Sequence, residues 1–142
     1  QLIQNCLART VCQTSKYSHI TPTLQSLHWL KVRERIEYKV LSLTYSCLQF
    51  NQPSYLSDLL TVQSNTYHTR SSTSVNLKRP AVVRAAIVKR SFFHSAPALW
   101  NSLPSALRQP ASAYDPSKIL ALSQANFHAL LKTHLFCKSY PP

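Results

Sequence analysis

The sequence predicts a mainly α-helical fold of short amphipathic helices joined by irregular linkers. Three observations lead there. Apolar residues recur at three- and four-residue intervals in several separate stretches, the period of one helix face. Nine prolines cut those stretches short, because a proline ring removes a backbone donor and crowds the preceding turn. Strand-like composition gathers in one place, residues 82–94, where a small β-hairpin is expected at most.

Residues 1–14 set Leu2, Ile3, Cys6, Leu7 and Val11 on one helical face. After the polar run Ser15 to Ser18, Thr21-Pro22 reads as an N-cap followed by proline at the first helical position. This starts a short helix through Leu24, Leu27 and Leu30 that should end near Lys31. Residues 31–50 are the most periodic: Val32, Ile36, Val40, Leu43 and Cys47 share an ~80° arc, with Lys31, Arg35 and Lys39 beside it. Gln52-Pro53 interrupts, and Leu56, Leu59 and Leu60 then share a face of a further short helix. In residues 61–80 Ser, Thr, Asn and Gln outnumber apolar side chains, which predicts a flexible linker. Val82, Val83, Ala86, Ile87, Val88, Phe92 and Phe93 carry the strand expectation, since Pro80 bars a helix from running through. Residues 95–104 suggest one capped helical turn between prolines, and 105–109 another. Residues 110–117 read as loose. The last helix should span about 123–136 and bury Phe127, Leu130, Leu131 and Leu135. Length alone favours one domain, organised as a helical segment over 1–60, a linker over 61–80, and strands or loop plus a C-terminal helix over 81–142.

Charge is the firmest guide to function. Sixteen Lys and Arg stand against four acids, a formal net charge of +12. The acids are Glu34, Glu37, Asp58 and Asp115, too few and too scattered for paired-carboxylate chemistry or a carboxylate-held divalent ion. The absence of glycine removes the dinucleotide fingerprint, the phosphate-cradling loop and the nucleophile elbow, whose turns need a residue without Cβ. The excess positive charge points to a polyanion bound in a salt-sensitive way. No apolar run approaches the ~18 residues of a membrane span. Met is absent as well, so the chain is expected to be either a processed piece or a fragment of a longer reading frame. Cys6, Cys12, Cys47 and Cys137 lack framework spacing and read as reduced thiols of an intracellular protein. Cys6, Cys12, His134 and Cys137 match no common zinc knuckle, so no metal and no cofactor is assigned.

Several blocks in order carry a resemblance: His19-Ile20-Thr21-Pro22, Leu27-His28-Trp29-Leu30, Val32-Arg33-Glu34-Arg35-Ile36, Tyr38-Lys39, Pro53-Ser54-Tyr55-Leu56, Arg70-Ser71-Ser72, Arg90-Ser91-Phe92, Ala96 through Pro104, and Leu131-Lys132-Thr133-His134-Leu135-Phe136. Together they resemble the C-terminal, post-thumb tail of reverse transcriptases from non-LTR (LINE-type, jockey-like) retrotransposons. The resemblance implies a non-catalytic segment of an RNA-directed DNA polymerase, because the metal-binding acids of the palm lie upstream of such a tail. It implies template RNA or target DNA as partner, together with the rest of the reverse transcriptase, and a place in a cytoplasmic and nuclear ribonucleoprotein. The chain departs from the family pattern at Val88-Lys89, where a Gly-Asp turn is usual, and at Lys31, where proline is usual. Both departures fit a decayed copy.

Lys31, Arg35 and Lys39, with Arg33 at the other border of the apolar arc, suit a phosphate backbone, since residues four apart project from one side of a helix at ~6 Å intervals. The plainer reading is a solvated face partly neutralised by Glu34 and Glu37. Lys78, Arg79, Arg84, Lys89 and Arg90 are the densest group without a nearby acid. Arg70 and Lys132 complete the candidate nucleic-acid contacts. Trp29 and Trp100 suit either base stacking or packing among leucines, and packing is the favoured reading. Two alternatives stay open: a packing module that braces the polymerase body, and a basic binder of membrane surfaces.

Overall fold

The computed structural model describes residues 1–63, 74–81, 85–111 and 118–141. Among them run α1 (Leu2–Cys12), α2 (Ile20–Ser26), α3 (Val32–Phe50), α4 (Ser54–Ser57), α5 (Ala86–Lys89), α6 (Phe92–Asn101) and α7 (Gln124–Ser139), with a 3-10 turn over Ser105–Leu107. The fold is mainly helical. No sheet forms among the described residues, where strand pairing is limited to two isolated antiparallel bridges, Val62 with Leu77 and Pro110 with Leu120.

The chain divides into two compact units, one of Gln1–Tyr38 with Leu131–Pro142 and one of Lys39–Leu130. The division therefore falls within α3 and α7, not at the polar stretch 61–80.

In the first unit α1 packs on α2. Ala8, Leu24 and Tyr140 are buried together, with Ile20, Leu27, Trp29 and Phe136 packed against them. Polar groups here are paired across the unit: the Gln4 amide donates to the Leu30 carbonyl at 2.7 Å, and the Tyr140 hydroxyl donates to the Trp29 carbonyl at 2.8 Å. Both helices end without glycine. Gln13 closes α1 at φ 50°, and His28 follows α2 at φ 52°. In each case the N–H one residue later reaches back five positions, Thr14 to Arg9 and Trp29 to Leu24, which is the Schellman closure. Thr21-Pro22 does not start α2; the helix begins at Ile20 with His19 at the cap position, and it ends before Lys31 is reached.

The second unit is built around an aromatic stack. The Tyr45 and Phe127 rings lie 4.4 Å apart at 19°, and Trp100 stacks on Phe127 at 5.9 Å. Leu41, Leu48, Leu77, Ala96, Leu103, Leu107 and Leu120 are buried in the same unit. The Tyr45 hydroxyl donates to the Leu122 carbonyl at 2.7 Å, and the Trp100 indole N–H to the Val75 carbonyl at 2.9 Å. The Asn101 side chain bonds both backbone groups of Leu77, accepting from its N–H at 2.9 Å and donating to its carbonyl at 2.8 Å, as a neighbouring strand would.

Several expectations differ from the structure. The hairpin near 82–94 is absent from the described residues, since 86–89 and 92–101 are helical. A helix through 92–101 buries Ala96, Pro97 and Trp100 on one side, and that burial outweighs the strand preference of Phe92 and Phe93. Pro97 lies inside that helix instead of bounding it. On α3 the buried residues are Glu37, Leu41, Thr44, Tyr45, Cys47 and Leu48, while Ile36 is 61% exposed and Leu43 is 41% exposed. The buried face is thus turned by roughly 100° from the apolar arc, because Glu37, Thr44 and Tyr45 bury polar side chains that find partners. On α7 Phe127, Leu131 and Leu135 are buried as expected, but Leu130 is 47% exposed and the helix runs on to Ser139. The ends of the expected linker are tied down: Gln63 N–H bonds the Asn76 carbonyl and Lys78 N–H the Thr61 carbonyl, both at 2.8 Å. Its middle, 64–73, lies outside the described residues.

Candidate nucleic-acid interface

Residues 78–81 and the turn between α5 and α6 form the candidate site in the second unit. Lys78 is fixed to Thr61 by its N–H, leaving Arg79, Pro80 and Ala81 to run out from that bridge. The one-turn α5 ends at Lys89, and Ser91 closes the turn by donating its hydroxyl to the Val88 carbonyl at 2.7 Å. Helix α6 then starts, with His94 and Ser95 in its first turn. These segments enclose a cleft of about 370 Å³ lined by Arg79, Pro80, Ala81, Lys89, His94, Ser95 and Ala98.

Two cations, an imidazole and a hydroxyl meet there, and none of the lining residues is acidic. The first turn of α6 adds the positive end of a helix dipole. A guanidinium presents a planar fork of donors and an ammonium a compact point charge, and both suit phosphate oxygens. Lys78 and Arg90 are exposed beside these residues in sequence. The lining residues therefore suit an anionic group.

The other candidates divide. Arg35 and Lys132 are exposed in the first unit, and Lys39 in the second. Lys31 is half-buried and engaged: its ammonium donates to the Ser139 carbonyl at 2.9 Å and lies 5.0 Å over the Tyr140 ring. Arg33 stands 3.6 Å from the Glu37 carboxylate with its own side chain 85% exposed. Glu37 is held more closely by Lys138 at 2.6 Å. The neutralised-face reading thus describes the start of α3 at Glu37. Arg70 and Arg84 lie outside the described residues. Two further arginines serve the fold. Arg9 donates to the Ser18 carbonyl at 3.1 Å, and Arg108 donates to the Leu103 carbonyl at 2.9 Å and to the Asn76 side chain. Burial holds the Arg108 guanidinium below its ordinary pKa.

Trp100 is fully buried and cannot meet a base. Trp29 is half-buried against the Ala8, Leu24 and Tyr140 cluster. The four cysteines are unpaired thiols, and among the described residues no group of three or more His, Cys, Asp or Glu is placed to hold a metal ion. No helix among them is long and apolar enough to cross a membrane. His94 and Ser95 were not singled out from the sequence as ligand-facing. Neither belongs to the Lys and Arg count that charge analysis follows, and the α5–α6 turn brings them into one cleft with Arg79. No protein-family model, curated protein or solved structure matches the chain.

Proposed function

We propose that this chain is a non-catalytic, basic nucleic-acid-binding segment of a non-LTR retrotransposon reverse transcriptase, contacting template RNA or target DNA through phosphates. The observation that carries the reading is the convergence of Arg79 and Lys89, ten positions apart, on one acid-free cleft with His94 and Ser95. The net charge of +12 supplies the long-range attraction. The order of the blocks from His19 to Phe136 supplies the resemblance to the parent enzyme.

Binding to single-stranded RNA should weaken with salt, log K falling by about 0.7 per phosphate contact for each tenfold rise. Replacing Arg79 and Lys89 together by Ser should flatten that slope by about 1.4. Lys31→Ser should leave the slope unchanged, since Lys31 is held by Ser139 and Tyr140. An unchanged slope in the double variant would reject the cleft as the contact.

A second reading, the packing module, is favoured by the outer face of α1. Leu2, Ile3, Leu7 and Val11 are all exposed there. Retained binding to the polymerase body by a chain with no affinity for RNA or DNA would select it. Binding to anionic liposomes in preference to RNA would select the membrane-surface reading.

A further inference from the structure

A second concavity, of about 780 Å³, opens at the C-terminal end of α3 and lies wholly within the second unit. Its size is in the range of small-molecule sites, ~300–1,000 Å³. Its lining includes Leu43, Ser46 and Phe50 from α3, Gln52 and Ser54 from the segment after it, and Gln124 from the start of α7. None of the lining residues is charged, in a protein where cations outnumber acids sixteen to four.

Phe50 is the aromatic residue in the lining of this groove. Its side chain is 50% exposed, while its ring meets Tyr45 edge-on at 6.2 Å. Tyr45 is itself immobilised, stacked on Phe127 and bonded through its hydroxyl to the Leu122 carbonyl. The Phe50 ring is thus braced on its inner side and open on its outer side. Two exposed amides, Gln52 and Gln124, line the same groove, and each offers two donors and one acceptor. A fixed aromatic platform sharing a groove with carboxamides is the chemistry that reads unpaired bases, stacking on the ring and hydrogen-bonding at the base edge. A phosphate would find no cation among the lining residues.

We infer that this groove takes an unpaired nucleobase, stacked on Phe50 and held at its edge by Gln52 and Gln124, so that the segment binds single strands in preference to duplex. The inference rests on the nucleic-acid reading above and assigns it a strand form. It also transfers the stacking role from Trp100, which is buried, to a phenylalanine that is not.

The test uses the full chain with three probes of equal length: an oligouridylate, an abasic phosphodiester strand and an RNA duplex. At matched low salt the oligouridylate should bind roughly 5- to 100-fold more tightly than the abasic strand, with the same salt slope because the phosphates are the same. Phe50→Leu preserves the contact with Tyr45 but removes the ring, and should abolish that difference; Phe50→Trp should retain it. Gln124→Ala, at an exposed position, should reduce oligouridylate binding roughly 2- to 10-fold. Equal affinity for oligouridylate and abasic strand with a normal salt slope would overturn the base site while leaving phosphate binding intact. Preference for duplex, or full binding by Phe50→Leu, would also overturn it. Failure to bind any of the three probes at low salt would overturn both readings.

Discussion

Trp100 has no accessible surface, and its one polar hydrogen is given to the Val75 carbonyl at 2.9 Å. Trp100→Phe would leave that buried carbonyl unpaired and part of the ring's volume empty. A loss of about 2–4 kcal/mol is expected, read from the urea midpoint at unchanged slope. Two tyrosines bring a pH dependence. Burial raises the Tyr45 hydroxyl above its ordinary 10.0, opposed by the nearby Lys118 ammonium. Burial, and then the Glu34 carboxylate, raise Tyr140. Burial likewise raises the Cys47 thiol above 9.0. Above these values the unfolded chain releases protons that the folded chain retains, so stability falls as pH rises. The decline should begin near pH 9.0 to 10.0, and Tyr140→Phe should make it shallower in alkaline unfolding followed by circular dichroism. A chain equally stable on both sides of that range would contradict the burial of these groups.

Helix ends are where the lack of glycine has its local effect. Gln13, His28 and Asn51 take positive φ at 50°, 52° and 54°, following α1, α2 and α3. The left-handed region costs a residue with a Cβ about 1 kcal/mol or more, and asparagine tolerates it best. Gln13→Gly and His28→Gly should each raise stability by about 0.5–1 kcal/mol in thermal melts, and Asn51→Gly by less. The helices themselves were largely legible. The periods of residues 1–14, 31–50 and 123–136 correspond to α1, α3 and α7, and on α7 Phe127, Leu131 and Leu135 are buried as the period implies, whereas on α1 the periodic Leu2, Ile3, Leu7 and Val11 are exposed and Gln4 and Ala8 are buried instead. What could not be read was the face. On α3 the buried set includes Glu37, Thr44 and Tyr45, whose polar atoms are bonded to Lys138, to the Val40 carbonyl and to the Leu122 carbonyl. Those partners lie up to 101 positions away. An apolar count made along one helix has no access to Lys138 or Leu122, and it passes over the bond that Thr44 makes to its own helix at Val40. Among the described residues of 82–94 the strand expectation failed for a related reason: it weighed side-chain shape and not what Ala96 and Trp100 would bury.

At the scale of the whole chain, a charge of +12 with four acids means that like charges repel in every compact state. Raising ionic strength from ~10 mM to ~150 mM shortens the screening length from about 30 Å to about 8 Å. The melting temperature should therefore climb by several degrees, and a polyanion such as heparin should reproduce the effect at low salt. A melting temperature that fell with added salt would mean that ion pairs, not repulsion, dominate. Charge counting located Arg79 and Lys89 as candidates from the sequence. Their meeting with His94 and Ser95 depends on the α5–α6 turn, so the cations of the candidate cleft were legible in the sequence while its two neutral polar residues and its shape were not. The segment 75–77 has one more consequence. It belongs to no helix or sheet, yet Val75 N–H is held by the Arg108 carbonyl at 2.7 Å and Leu77 N–H by Asn101 at 2.9 Å. Deuterium should consequently enter these two amides only when the second unit opens as a body. They would form a slow-exchanging island at the edge of a stretch whose polar sequence predicts rapid exchange.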